Sequence, residues 1–221
     1  LLDSEREHIF IRRFNTPRIM KNLADSLFKV SATASSAASG SVLVSEPFLA
    51  ETFFNHSVLS LIDYIPDEGA TGVVLNNRTD LLLSDVIEGV DDARPIKVFC
   101  GGPLGQDRLF FIHTLGDTVI GGARCYAPGL YIGGDFASMT GYVNAGYPID
   151  GYVRFFIGYS SWERGQLERE IREGSWAVGT TPEKTGKLLT GSGDSFWHRA
   201  VRDLGSDYRS WRLLPRNAEL N

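Results

Sequence analysis

Cysteine is scarce in this chain: 221 residues hold only Cys100 and Cys125. So few thiols in a chain of this size do not form a disulfide scaffold. Long apolar runs are missing as well. No stretch approaches the ~18 uninterrupted apolar residues of a membrane-spanning helix, and the first residues lack the charged-then-apolar plan of a secretory signal. These absences lead to the expectation of a cytoplasmic protein without a membrane partner. The four histidines, His8, His56, His113 and His198, show no metal-ligand spacing, and no C-x-x-C accompanies them. No metal and no cofactor are expected.

What is present fits a globular body. Hydrophobic residues make up 43% and charged residues 22% of the chain, close to ordinary domain averages. Twenty-four glycines imply many tight turns, since glycine adopts positive φ without a steric penalty. The charge is unevenly spread. Residues 1–40 carry six basic and four acidic groups, whereas the remainder carries 16 basic and 23 acidic ones. An acidic body repels nucleic-acid phosphates, so direct DNA binding is not expected. No helix-turn-helix with a basic second helix is found either.

The chain divides near residue 40. Thr16-Pro17 offers a cap and a first helical position, and Ile19, Leu23, Leu27 and Val30 recur at helical spacing. Residues 1–39 are therefore expected to be a helical arm ending in a Ser/Ala linker, with one α+β domain over 40–221. In that domain Val42–Val44, Val58–Tyr64, Thr71–Leu75, Ile96–Cys100, Arg108–His113, Gly129–Ile132, Val153–Ile157 and Trp176–Val178 read as strands. Val153–Ile157, strongly apolar, is expected at the centre of the sheet. Helices are expected over Ser84–Glu88, after an Asp135 cap, over Gln166–Glu173 with a Glu168–Arg172 pair, and after an Asp194 cap. Strands and helices mix without a steady β-α-β rhythm, which predicts a mixed, largely antiparallel sheet flanked by helices.

Chemistry-bearing positions are few. The pairs Gly101-Gly102 and Gly133-Gly134, the latter followed by Asp135, expose backbone N–H groups, but neither has dinucleotide or P-loop spacing. Gly158-Tyr159-Ser160-Ser161-Trp162 resembles a nucleophile elbow without its last glycine; placed between strand and helix, its serines are expected to cap the helix. His113 is the best-placed acid–base candidate, and Ser160 or Cys100 a candidate nucleophile.

Several motifs in order resemble the YqgE/AlgH family of bacterial proteins. They run from Gly40-Ser41-Val42-Leu43-Val44 through Gly69-Ala70-Thr71-Gly72-Val73-Val74-Leu75-Asn76, Gly101-Gly102-Pro103 and Arg108-Leu109-Phe110-Phe111-Ile112-His113. They continue with Gly129-Leu130-Tyr131-Ile132-Gly133-Gly134-Asp135, Gly158-Tyr159-Ser160-Ser161-Trp162 and Gly174-Ser175-Trp176. The resemblance implies an α+β domain without an established enzymatic activity, in a family whose members often carry the label of transcriptional regulators. Two functions are expected. One is a non-enzymatic regulatory or binding module for a protein or small-molecule partner, its cleft lined by Asn76, Gly101, Gly102, Gly133, Gly134, Asp135, Tyr159 and Trp162. The alternative is a small hydrolase or transferase acting on an anionic substrate through His113, Ser160 or Cys100, with glycine N–H groups as oxyanion donors.

Overall fold

The computed structural model describes residues 37–49 and 53–214; the helix expected from Pro17 to Val30 within the arm, and most of the linker after it, lie outside them. Ten strands share one mixed sheet: β1 (Val42–Ser45), β2 (Val58–Ile65), β3 (Gly69–Val74), β4 (Arg78–Leu82), β5 (Lys97–Cys100), β6 (Leu104–His113), β7 (Arg124–Ala127), β8 (Leu130–Ile132), β9 (Val153–Glu163) and β10 (Trp176–Gly179). The order is β10-β1-β2-β3-β9-β6-β8-β7, with β5 also against β9 and β4 outside β5. All pairings are antiparallel except β5 with β9. Helices α1 (Leu83–Val86), α2 (Phe136–Asn144), α3 (Gln166–Arg172) and α4 (Gly193–Leu204) pack around it. The expected α+β fold is thus the one observed.

Strand β9 is the hub. Its first half lies between β5 and β6, Phe156 opposite both Phe99 and Phe110, and its second half pairs with β3, Ser160 opposite Gly72. This corrects the expected turn at Gly158-Tyr159-Ser160-Ser161-Trp162. The chain stays extended through Glu163, so neither serine caps a helix. The glycine that suggested a break, Gly158, has φ +73° and marks where β9 passes from β5 to β3. A side chain there would meet the backbone of Gly102 and Leu104.

Burial on both faces explains the apolar runs. Along β1, Val42 and Val44 join one core while Leu43 joins the other; along β9, Phe156 and Phe155 divide likewise. The first face is covered by α4 through Phe196, Trp197 and Val201. The opposite face is covered in two patches, one with Leu167 of α3 and one with Met139 and Val143 of α2.

Local chemistry sets the helix ends. Asp135 caps α2 as expected, its Oδ2 accepting from the Ser138 backbone N–H at 2.8 Å. At α4 the expectation is corrected. Ser192 is the cap residue, and Asp194 lies inside the first turn, where its carboxylate turns to His56 Nδ1 (2.5 Å) and His198 Nε2 (3.1 Å). Glu168 likewise accepts from the Tyr64 hydroxyl at 2.7 Å in place of the expected Arg172 pair. Strands β4 and β7 were not expected. Arg78–Leu82 is an exposed edge strand without an apolar pattern, and Arg124–Ala127 is four residues between glycine turns.

Candidate functional site

The residues proposed for catalysis are distributed along β9. His113 of β6 stands opposite Val153, whereas Ser160 lies seven positions further along β9; at ~3.3 Å per residue that is about 23 Å. Cys100 sits across β9 from β6, opposite Ile157. Each group is also engaged where it stands. The Leu115 N–H donates to His113 Nδ1 at 3.3 Å, so Nε2 carries the proton and donates to the Gly133 carbonyl at 3.2 Å. Burial pushes this imidazole below its ordinary pKa, partly offset by the Gly133 bond, and the neutral ring is locked. Ser160 Oγ donates to Gly101 O at 3.4 Å. Burial raises the Cys100 thiol against a smaller lowering by its bond to Gly102 O.

Of the expected ligand loops, the Gly101-Gly102 turn packs against Tyr159, whereas Gly133–Asp135 lies by the opposite end of β9. Gly101 and Gly102 are glycine because a Cβ would run into the backbone of Gly158 or Tyr159. At the other end of β9, the Gly133 N–H bonds to Phe111 O, and Phe111 faces Phe155. A Cβ on Gly134 would crowd Ile120. Asp135 is occupied as a helix cap, and its bonds from Ser138 hold its carboxyl below the usual range. Tyr159 is part-exposed over Gly105. Trp162 is buried, and its indole N–H donates to Glu170 Oε2 at 2.8 Å, as does that of Trp176. Asn76 is a structural clamp: its amide donates to His56 O and Gly193 O, and its Oδ1 accepts from the Val58 N–H.

A different site emerges where the start of β9, the β4–β5 edge and the entry to α4 meet. A cleft of about 480 Å³ is lined there by Arg78, Arg94, Lys97 and Arg154, with one acid, Asp150. The apolar part of its wall includes Ile96, Phe99, Ile149 and Leu189, and Gly191 and Ser192 lead from it into α4. None of the four cations forms an ion pair among the described residues.

Arg154 is the unusual member. The pleat of β9 turns it toward the α4 face, between Phe155 and Val153 on the opposite one. It is only 5% exposed. Its Nη1 donates to Leu75 O at 2.7 Å and its Nη2 to Gly191 O at 2.8 Å. The guanidinium carbon lies 4.1 Å from the Phe99 ring centre, a cation–π contact. Burial, reinforced by Arg199 and opposed by Asp150, pulls its pKa down to about 9. Carbonyl dipoles and a ring hold the charge, and among the described residues no carboxylate comes within ion-pair distance of it. Arg94 and Lys97 are held similarly, donating to Val143 O, Tyr147 O and Asp80 O. The sequence alone does not reveal this site, because the apolar residues of Val153–Ile157 dominate its pattern. The available signal was the one cation inside that strand, since buried arginines are rare without a partner.

Among the described residues, no three His, Cys, Asp or Glu side chains gather to hold a metal ion. No helix there is long and apolar enough to cross a membrane.

The fold and the cleft define an α+β protein with one mixed sheet organised around a shared central strand. The same fold occurs in a crystal structure of a protein from Corynebacterium diphtheriae (TM-score 0.66, 22% identity, covering 80% of this chain and 93% of that one). It also occurs in the solution structure of AlgH from Pseudomonas aeruginosa (TM-score 0.63, 24% identity, 79% and 92%). The AlgH-like family model matches residues 42–209, and the chain belongs to that family. Similar relatives are a UPF0301 protein of Parabacteroides distasonis, 39% identical over 89% of this chain and 98% of its own, and one of Bacteroides thetaiotaomicron, 36% identical over 90% and 100%.

Proposed function

We propose that this protein is a non-enzymatic binding module that seats a small anionic ligand in the cleft around Arg154 and acts as a ligand-responsive regulator in the cytoplasm. The observation that carries the reading is a charge contrast. The chain has a net charge of −5, yet one cleft is lined by four cations that form no ion pair among the described residues. A buried, unneutralised guanidinium is costly, and an anion entering the cleft would compensate it. The cleft volume lies in the range of small-molecule sites. The domain that carries this function begins near Gly40, with Ala37 already packed in its core, and no nucleic acid is needed as partner.

The separation of His113, Ser160 and Cys100 along and across β9 favours this reading over the hydrolase or transferase, whose groups must lie within about 3 Å of one another. Calorimetric titration of the full chain with benzoate, phenyl sulfate and phenyl phosphate at low salt tests it. Saturable binding of at least one, weakened at least tenfold in Arg154→Met and by added salt, is expected. Heats that stay at the dilution baseline for all three anions would overturn it.

A further inference from the structure

We propose that the ligand of this cleft is a small phosphate monoester, its dianionic phosphate held by Arg78, Arg94, Lys97 and Arg154 and its apolar body laid against Ile96, Ile149 and Leu189. This rests on the anion-binding reading above and names the chemical class of the anion.

Three observations lead to phosphate. The first is charge number. Four cations face one acid, Asp150, so a monoanion would leave the cleft strongly positive, whereas a phosphate monoester near neutral pH brings close to two charges. The second is donor geometry. Three of the four cations are arginines, whose planar forks match phosphate oxygens in pairs. Arg154 uses Nη1 and Nη2 for one carbonyl each and retains further N–H groups of the five a guanidinium carries. The third is preorganisation. Carbonyls of Leu75, Gly191, Val143, Tyr147 and Asp80 fix three of the cations before any ligand arrives, so little side-chain entropy remains to be lost on binding. Ser192 adds a hydroxyl at the α4 entry that makes no capping bond.

The size of the cleft adds the ester. About 480 Å³ is far more than an inorganic phosphate fills, and the apolar wall gives a carbon body a favourable place to leave water.

The test is titration calorimetry at pH 7.5 on the full chain, comparing phenyl phosphate, phenyl sulfate, benzoate and inorganic phosphate. Phenyl phosphate is expected to bind at least tenfold more tightly than phenyl sulfate or benzoate, and more tightly than inorganic phosphate. Arg78→Ala, at an exposed position where folding is not at risk, is expected to weaken phenyl phosphate about tenfold. Equal affinity for phenyl sulfate or benzoate would overturn the phosphate assignment while leaving an anion site in place. Equal affinity for inorganic phosphate would overturn the ester. An unchanged affinity in Arg78→Ala would remove that residue's cleft from the site. Absence of binding by every probe would overturn both this inference and the reading beneath it.

Discussion

Among the described residues, one carboxylate and one guanidinium are buried, Glu170 and Arg154, and they are treated in opposite ways. Glu170 of α3 lies on the face opposite α4, and both its oxygens are filled. Oε2 accepts the indole N–H groups of Trp162 and Trp176, each at 2.8 Å, and Oε1 accepts from Gln166 Nε2 at 2.9 Å. The two indoles meet edge to face within a packed apolar cluster. Arg154 lies on the α4 face, against carbonyls and an aromatic ring, and its surroundings open into a cleft. A buried charge whose bonding capacity is consumed internally acts as a structural joint. One whose charge is left uncompensated beside a cavity is suited to receive something from outside.

The strongest way to test the first half of this contrast is to remove the joint. Glu170→Ala would leave two indole N–H groups and the Gln166 amide without their acceptor, together with a small void. Unsatisfied buried donors cost about 1–3 kcal/mol each, so a loss of about 3 kcal/mol or more is expected in urea unfolding. Glu170→Gln keeps one acceptor oxygen and is expected to lose about half as much. Anion binding at the distant cleft is expected to remain. If Glu170→Ala proved as stable as the parent, the carboxylate would not be a joint.

Arg154→Met tests the second half. It removes two hydrogen bonds to carbonyls, but it also relieves the desolvation of a buried charge, and replacement of buried ions by apolar residues of similar size is often neutral. A stability change within about 1 kcal/mol is expected, alongside at least a tenfold loss of anion affinity. A loss of stability as large as that of Glu170→Ala, with anion affinity intact, would make Arg154 another joint and erase the distinction.

The architecture was more legible in the sequence than the site, and the reason is physical. Strands β2 and β3, the Asp135 cap and the central position of Val153–Ile157 follow from short-range patterns: runs of strand-forming residues, a side-chain acceptor at a helix start, an apolar run. Gly158 misled because a left-handed glycine looks the same in sequence whether a strand ends or continues through a bend. Asp194 misled because its partner, His56, is 138 residues away. The cleft was not legible because Arg78, Arg94, Lys97 and Arg154 come from separate segments that meet only through the β4–β5–β9 register. Trp162 could be read as an exposed loop aromatic because its partner Glu170 sits one element later, on a helix whose polar residues suggest solvent.

His113 sharpens the comparison with a buried group that avoids charge altogether. Its ring bonds as a neutral tautomer, and burial lowers its pKa. Below the unfolded value near 6.5 the unfolded chain takes up a proton that the folded one resists. Stability is therefore full above that value and is lost as pH falls beneath it, with a slope of at most about 1.4 kcal/mol per pH unit from this one group. Melting temperatures measured from pH 7.5 to 5 are expected to fall less steeply for His113→Gln than for the parent. Identical slopes would mean that the imidazole is not held neutral by the fold.

The smallest effect is expected where charge is neither buried nor unpaired. Arg124 of β7 donates from Nη1 and Nη2 to the two oxygens of Asp63 of β2, both at 2.9 Å. The pair joins the terminal strand β7 to β2, an inner strand of the sheet, beside the Ser60–Tyr126 hydroxyl contact. Both side chains are about half exposed, so water already solvates each charge well. Arg124→Gln is expected to cost under about 1 kcal/mol, and less at high salt. A cost comparable to Glu170→Ala would show that the β2–β7 seam depends on this bridge, and that exposure is then a poor guide to which charges hold the sheet together.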